Sequence, residues 1–358
     1  MNDGPSDDPL ASFDIEKELL GGRRQFTRKQ VAEKSGVPID MAEELWQQLG
    51  FPRTDDDDVA FTKADVSALK QTLELINMGI LEAESQAALV RTWGRSFARL
   101  ADWQATLLGG IALNAEDPRK ALDELVGTVL PAVASLQDYV WRRHLASAAQ
   151  RLLGDPEGVG EETSLAVCFV DIVGYTSQSK TMADADLVGW VDHFEDEMTR
   201  QVVNVGGRLI KTIGDEVLFV AEKVDAAAEV ALNVTEMGAD EEDPFPMVRA
   251  GLAFGSVVSR LGDVFGPTVN IASRLTSVAR PGSVLVDRGA YDALTYDGPP
   301  ETAPDGTPLG KLIDKATEEL SDLSPFSEHG DYRFRRMRRV AVKGYRHLEP
   351  FVLRRKRD

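Results

Sequence analysis

The chain has 358 residues, of which 43% are hydrophobic and 28% are charged, a composition typical of a soluble protein with room for two domains. Its formal net charge of -19 argues against binding along a nucleic-acid backbone, because such binding needs a positive face. One cysteine, Cys168, excludes an intrachain disulfide framework. With neither a signal peptide nor an apolar run long enough for a membrane span, we expect a cytoplasmic protein.

The N-terminal half is predicted to be helical. Residues 1–12 are polar and turn-forming, which predicts disorder. Residues 13–153 show helical spacing of apolar side chains and no convincing strand pattern. We expect two short helices within 32–42, around a Gly36-Val-Pro turn, and longer helices at 63–84, 86–105 and 121–152. Residues 154–163 begin with a Gly- and Pro-containing run, which predicts a linker.

The start of this half resembles the helix-turn-helix of small transcription regulators, over residues 26–38, 41–49 and 61–65. Its second helix carries Asp40, Glu43 and Glu44, with no basic residue before Arg53. Those carboxylates would repel DNA phosphates. We therefore expect a motif reused for packing and no nucleic-acid partner.

A stripe of apolar residues follows later in the same half, formed by Leu107, Leu108, Ile111 and Leu113. Such spacing is typical of a helix that packs against another helix, and we expect a helix–helix core here. A cavity for a lipid is the alternative.

The C-terminal half, residues 164–358, is predicted to be a separate α+β domain. Apolar, β-rich runs predict strands at 165–170, 208–213, 216–221, 248–255 and 283–286, and amphipathic runs predict helices at 183–204, 226–238 and 271–279. The order β-α-β-β-α-β is that of the ferredoxin-like fold. A loop at 297–308, a helix at 311–323 and strands at 332–342 and 347–354 are expected to follow.

Three motifs in this half indicate chemistry on a nucleotide. They are Phe169-Val-Asp-Ile-Val-Gly-Tyr-Thr176, Lys211-Thr-Ile-Gly-Asp215 and Asp263-Val-Phe-Gly-Pro-Thr-Val-Asn-Ile-Ala-Ser-Arg274. Asp171 and Asp215 would meet at the ends of adjacent strands. Mg²⁺ prefers carboxylate and phosphate oxygen and is commonly held by only one or two side chains. The three motifs, in this order, resemble the catalytic domain of class III nucleotidyl cyclases.

This resemblance implies two Mg²⁺ or Mn²⁺ ions in each active site, bound by Asp171, Asp215 and the backbone carbonyl of Ile172. Two metals can activate a ribose 3′-hydroxyl and neutralise a leaving pyrophosphate. Residues Gly174, Tyr175 and Thr176 lie where the strand turns into a helix, and we expect their amides to face phosphate oxygens.

Hydrogen-bond direction favours adenine as the base. Lys211 can only donate and ionised Asp263 can only accept, which matches N1 and the N6 amine of adenine and opposes guanine. Guanylate cyclases of the resembled family typically carry Glu in place of this Lys. We therefore expect ATP as the substrate and 3′,5′-cyclic AMP and pyrophosphate as the products.

The remaining site residues come from the same resemblance. Asn270 and Arg274 lie four apart on the helix that follows Gly266, on one face. The family assigns Asn270 to the ribose and Arg274 to the charge at the reacting phosphorus. Lys343 resembles the lysine near the β- and γ-phosphates, although Arg346 is an alternative for that contact.

In the resembled family, the metal-binding pair comes from one subunit, whereas the adenine-reading pair, Asn270 and Arg274 come from the other. The resemblance thus implies a homodimer with two equivalent sites. The helical half is similar to the regulatory domain of soluble actinobacterial adenylate cyclases. A helical unit tethered by a short linker can bias how two catalytic subunits are arranged. We therefore expect it to restrain activity, with a small molecule, a lipid or a proton as the effector.

Three alternative functions, from two classes, stay open at this point. The hairpin Ile213-Gly-Asp-Glu-Val217 differs at two positions from the signature of diguanylate cyclases, which share the ferredoxin-like core. A diguanylate cyclase is therefore one alternative, and a guanylate cyclase is a second. A transcription regulator whose second half senses a nucleotide is the alternative from another class.

Overall fold

The structure is a computed structural model that describes residues 15–78, 83–154, 162–240, 242–296, 326–337, 340–342 and 345–356. The chain divides into two compact units, Met1–Gly154 and Asp155–Asp358. The expected disorder at 1–12, loop at 297–308 and helix at 311–323 lie outside the described residues. Within the described residues, no helix is both long enough and apolar enough to cross a bilayer.

In its described residues, the first unit consists of helices, with an isolated β-bridge between Phe26 and Phe61. Its elements are α1 (Ile15–Leu19), α2 (Arg28–Ser35), α3 (Ile39–Leu49), α4 (Lys63–Asn77), α5 (Ala83–Leu113), α6 (Pro118–Glu124), a π-helical segment (Leu125–Val129) and α7 (Leu130–Gly154). The single helix expected at 121–152 is thus interrupted. Pro131 lacks an N–H for the carbonyl four residues before it, at Gly127, which explains a wider turn at this place.

The helix boundaries of this unit follow local capping rules. Thr27 and Gln30 form a capping box at the start of α2, and Thr62 and Asp65 form one at the start of α4. Gly36 ends α2 in the left-handed conformation, as expected for the turn between two short helices. Behind these helices lies a small core of Val31, Val37, Ala42, Leu45, Leu69 and Val90.

The expectation of a helix–helix core for the apolar stripe on α5 is wrong within this chain. Leu107, Ile111 and Leu113 are 45%, 64% and 53% exposed, and only Leu108 is partly buried. The packed residues of α5 lie nearer its N-terminal end, where Val90 joins the core with Leu45 of α3. The stripe lies beyond the reach of that core, because each residue advances the helix by about 1.5 Å.

The second unit is an α+β fold. Its strands are β1 (Glu162–Ile172), β2 (Arg208–Ile213), β3 (Glu216–Ala221), β4 (Val248–Arg260), β5 (Asp263–Phe265), β6 (Val284–Val286), β7 (Phe326–His329), β8 (Tyr332–Arg336), β9 (Val340–Val342), β10 (Tyr345–Leu348) and β11 (Phe351–Arg355). Its helices are α8 (Tyr175–Gln178), α9 (Asp184–Asn204), α10 (Val224–Met237), α11 (Pro267–Val278) and α12 (Arg288–Leu294).

The elements β1, α9, β2, β3, α10 and β4 confirm the predicted β-α-β-β-α-β order. Strand order in the large sheet is β2-β3-β1-β4-β6-β11-β8-β7, with β5 paired to β4. The expected closing strands at 332–342 and 347–354 were too long, since β8, β9, β10 and β11 share that region. Strands β9 and β10 form a separate hairpin.

Strand β1 lies between β3 and β4, antiparallel to both. Its even-numbered residues from Ala166 to Ile172 pack with α9 and α10 in one core cluster. The odd-numbered residues Leu165, Val167 and Phe169 pack on the opposite side, in a cluster that includes Ala272 of α11. Burial on both faces explains why this strand is apolar almost throughout.

Helix α11 lies very close to β4. A Cβ atom at Gly251 would lie 2.3 Å from the backbone nitrogen of Thr276 and 2.4 Å from the carbonyl oxygen of Ala272. The hydroxyl of Thr276 also donates to the carbonyl oxygen of Phe169 in β1, at 3.3 Å. Helix α11 is therefore held against the face of the sheet that carries the odd-numbered residues of β1.

Candidate active site

The candidate site lies where β1, the β2–β3 hairpin and β4 meet. Asp171 of β1 pairs across the strands with Glu216 of β3 on one side and with Arg249 of β4 on the other. Cross-strand partners project from the same face of a sheet. Two carboxylates and a guanidinium are thus neighbours on the face that α11 covers.

Arg249 binds Asp171 directly. Its Nε donates to Asp171 Oδ2 at 2.7 Å, and its Nη2 lies 2.6 Å from the same oxygen. The Asp171 side chain is only 15% exposed. Charge-assisted bonds of this length are among the stronger hydrogen bonds in proteins.

Asp215 lies in the two-residue turn between β2 and β3, after Gly214, which adopts a positive φ of 66°. Its backbone carbonyl accepts from the amide of Ile172 at 3.0 Å, which ties the turn to the end of β1. The structure therefore brings together the two motifs that carry Asp171 and Asp215. It places the Ile172 side chain in the core, 2% exposed.

The acidic groups of this site interact electrostatically. Burial raises the pKa of Asp171, the hydrogen bond and charge of Arg249 lower it, and the charge of Asp215 raises it further. The pKa of Glu216 is raised to about 7, mainly by burial and also by the charges of Asp171 and Asp215, while the charge of Arg249 lowers it. Mutual repulsion of this kind is what a bound cation relieves.

The donor set fits hard divalent cations completed by a substrate. Asp171 and Asp215 supply carboxylate oxygen, and among the residues described here no group of three or more His, Cys, Asp or Glu side chains is arranged to hold a metal. Mg²⁺ is usually held by one or two carboxylates together with substrate phosphates. Two carboxylates in an acidic environment match that pattern.

Lys211 and Asp263 form an ion pair, with Lys211 Nζ 2.5 Å from Asp263 Oδ2. A tight turn between β4 and β5 positions Asp263, since Leu261 and Gly262 both adopt positive φ, 56° and 80°. That geometry is typical of a two-residue hairpin turn, in which glycine is favoured. Lys211 pairs with Leu218, which packs on the same face of the sheet as Phe169.

Helix α11 carries Asn270 and Arg274, one turn apart. The helix begins at Pro267, four residues before the expected start at 271, because proline is favoured in the first turn. Both side chains are exposed, while Ala272 and Leu275 face the core. In the described part of the chain, neither side chain has a hydrogen-bonding partner.

Gly174 precedes the short helix α8, which begins with Tyr175 and Thr176. The predicted turn from strand into helix is thus present, and the ring of Tyr175 stacks on Trp190 at 6.2 Å. Lys343 lies outside the described residues, as does the Arg346 side chain. Their predicted contact with phosphates remains a prediction.

Sequence reasoning did not identify Arg249, and it treated Glu216 only as part of a hairpin. Arg249 is the one charged residue in the apolar run Val248-Arg-Ala-Gly-Leu-Ala253. A charge within a buried strand calls for a partner, because burying an unpaired charge is costly. That signal could have identified Arg249. Its partner, Asp171, can be identified only from the register of the strands.

Known cyclases are similar to this chain in sequence. Residues 159–305 match the family described as adenylate and guanylate cyclase catalytic domain. A curated adenylate cyclase of Glutamicibacter nicotianae is 38% identical over 311 residues, covering 81% of this chain and 76% of that protein. One from Streptomyces coelicolor is 39% identical and covers 84% of this chain and 80% of the relative.

The similarity extends into the helical half. An adenylate cyclase of Streptomyces griseus is 35% identical over 373 residues and covers 98% of this chain and 90% of its own length. The relatives are therefore similar in both units, and the motifs that carry Asp171, Asp215 and Asp263 occur in the unit that the family matches. The chain therefore belongs to the class III adenylate cyclase family.

Proposed function

We propose that the protein converts ATP to 3′,5′-cyclic AMP and pyrophosphate. The observation that carries this proposal is the ion pair of Lys211 and Asp263, which places one donor and one acceptor side by side. Adenine presents the complementary acceptor at N1 and donor at N6, whereas guanine presents the opposite pair. The relatives named as adenylate cyclases support the same substrate.

The carboxylates of Asp171 and Asp215 would hold two divalent cations, Mg²⁺ or Mn²⁺, together with the substrate triphosphate. When bound, such cations lower the barrier to attack of the 3′-hydroxyl on the α-phosphorus and neutralise the leaving pyrophosphate. Asn270 orients the ribose, and Arg274 supplies positive charge to the reacting phosphorus. Gly174, Tyr175 and Thr176 contribute backbone amides to phosphate oxygens.

Each active site is shared across a homodimer in this proposal. Support comes from α11, whose Asn270 and Arg274 are exposed and unpartnered in the described part of the chain. A second copy of the chain can use exposed side chains of this kind, and a twofold axis then creates two equivalent sites.

The helical unit restrains this activity by favouring one relative arrangement of the two catalytic units over another. Regulation is then a shift in the populations of the two arrangements. Helix α7 ends at Gly154, the last residue of the first unit, and the chain continues from there into the catalytic unit. A conformational change in α7 is therefore transmitted to the catalytic unit along the chain. The effector is a small molecule, a lipid or a proton. Expression of residues 155–358 alone tests restraint, since equal specific activity of this fragment and the full chain contradicts it.

DNA binding is not part of the proposed function. Arg28 of α2 pairs with Glu43 of α3 at 2.8 Å and also binds Asp56, which pairs with Lys29 as well. Arg28 and Lys29 of this helix-turn-helix-like segment are therefore neutralised by acidic neighbours. A gel shift with duplex DNA should show no specific complex.

The central experiment is turnover of ATP by the purified full-length protein with Mn²⁺, with products separated by chromatography. We expect cyclic AMP and pyrophosphate, and loss of both in Asp171→Ala. Incubation with GTP should yield neither cyclic GMP nor a cyclic dinucleotide. Cyclic GMP or cyclic di-GMP as the main product would support the guanylate or diguanylate cyclase alternative instead.

A further inference from the structure

Arg249 stands out because it contacts both halves of the catalytic machinery on its own chain. Its Nε and Nη2 bind Asp171 Oδ2, and its Nη1 donates to the backbone carbonyl of Ser277 at 3.4 Å. Ser277 lies in the last turn of α11, the helix that carries Asn270 and Arg274. One guanidinium thus joins the end of β1 to the end of α11.

We infer that Arg249 is a positioning residue that orients the Asp171 carboxylate for a divalent cation. This inference rests on the proposed function, because it takes Asp171 as a metal ligand. Both short contacts of the guanidinium go to the same oxygen, Oδ2, which leaves Oδ1 available to a cation. Partners of this kind hold ligating carboxylates in one rotamer and tune their affinity.

The environment of Asp171 shows why its carboxylate needs the guanidinium of Arg249 to hold its orientation. Glu216 lies opposite Asp171 on β3, and Asp215 lies in the adjoining turn. Three carboxylates in a partly buried position repel one another, and a side chain held by nothing would turn away from its neighbours. Arg249 opposes that movement with two donors on one oxygen.

The shape of the guanidinium explains why arginine is present. Its donors point in several fixed directions, which lets it bind Asp171 and the α11 carbonyl at the same time. The Arg249 side chain is 33% exposed, and its cross-strand position opposite Asp171 is set by the β1–β4 register. A lysine keeps the charge but has a single nitrogen on a flexible stem. It can therefore bind Asp171 or the Ser277 carbonyl, but it holds the carboxylate in a less fixed orientation.

The first test measures metal binding rather than activity. Mn²⁺ is titrated into full-length protein, and the free ion is followed by electron paramagnetic resonance, with Asp171→Ala as the reference that removes the specific site. We expect Arg249→Gln to weaken specific Mn²⁺ binding by roughly 10–100-fold and Arg249→Lys to have an intermediate effect. Arg288→Gln, which breaks an exposed ion pair with Asp292, should bind Mn²⁺ like the wild type.

Unchanged or tighter Mn²⁺ binding in both Arg249 variants would overturn the inference. Melting temperatures without metal identify a variant that has not folded, and Arg249→Lys then carries the test. If Asp171→Ala binds Mn²⁺ as the wild type does, the metal assignment of the proposed function fails, and the inference fails with it.

The second test asks which half of a shared site Arg249 serves. Mixed Asp171→Ala and Arg274→Ala protomers should recover activity, because one hybrid site has both halves intact. Arg249→Gln mixed with Arg274→Ala should recover activity likewise, whereas Arg249→Gln mixed with Asp171→Ala should not. The reverse pattern would place Arg249 with α11 and overturn the inference, while no recovery in the first mixture contradicts the shared site itself.

Discussion

Lys211 and Asp263 are 52 residues apart in the chain, and their side chains meet at 2.5 Å. They lie on β2 and at the start of β5, two strands that the sheet order separates by β3, β1 and β4. The side chains are 40% and 29% exposed. An ion pair this open to solvent contributes little to stability. Its effect should therefore be seen in substrate binding.

Replacing Lys211 by Met should separate the two roles of this pair. We expect a melting temperature close to that of the wild type and a loss of at least about tenfold in kcat/KM for ATP, because the base loses a donor. Arg288→Met, which breaks an exposed ion pair elsewhere in the same unit, is the matched control and should leave kcat/KM unchanged. Full ATP turnover in Lys211→Met would remove the lysine from base recognition.

Base preference should change when both members of the pair are replaced. Lys211→Glu alone places two carboxylates against each other and should lower both activity and stability. Adding Asp263→Asn relieves the repulsion and offers an acceptor and a donor that match guanine. We expect the ratio of GTP to ATP turnover to rise at least about tenfold in the double variant, measured by chromatography of both cyclic products.

Gly251→Ala should disturb the contact between β4 and α11. The added Cβ would approach the backbone of α11 to 2.3 Å, so the helix must move. We expect a loss of roughly 1–3 kcal/mol in the free energy of unfolding and a large drop in kcat. Gly189→Ala in α9 is the control, since a Cβ at that position would have nothing within 4 Å and alanine favours helix. Equal effects of both substitutions would contradict this explanation.

Glu216 should make the stability of the metal-free catalytic unit depend on pH. Burial raises its pKa to about 7 from an ordinary value of 4.5, so the folded state binds a proton that the unfolded state releases. The contribution of Glu216 to the free energy of unfolding is fully present below pH 4.5 and is lost as the pH rises through about 7. In EDTA, the melting temperature of the wild type should fall between pH 5 and about 8, and Glu216→Gln should reduce that fall. An identical fall in both proteins would exclude Glu216 as its cause.

Cys168 should be chemically inert in the folded protein. It is fully buried in β1, and burial raises the pKa of its thiol far above the usual range. The thiolate is the reactive species, so alkylation should be negligible at neutral pH and should reach one thiol per chain in denaturant. Mass spectrometry after iodoacetamide treatment measures this. Rapid labelling of the native protein would show that β1 opens locally.

Much of this protein was predictable from sequence because its signals are local. Strands β2 and β3 begin and end where the β-rich runs of the sequence do, at 208–213 and 216–221, and the i,i+4 spacing of Asn270 and Arg274 requires only a helix. The fold class follows from the order of these elements. The motif around Asp171 indicated a strand end, because a polar residue followed a run of apolar ones.

Only the tertiary structure decided which of these residues face one another. The contact of Arg249 with Asp171, the position of Glu216 opposite it and the Lys211–Asp263 pair all depend on strand order and register. A shift of one residue would turn each side chain to the other face of the sheet. Composition and spacing carry no record of register, since it is set by the sum of contacts between distant segments. The sequence by itself therefore determined the elements and the motifs, and packing of the sheet determined the site.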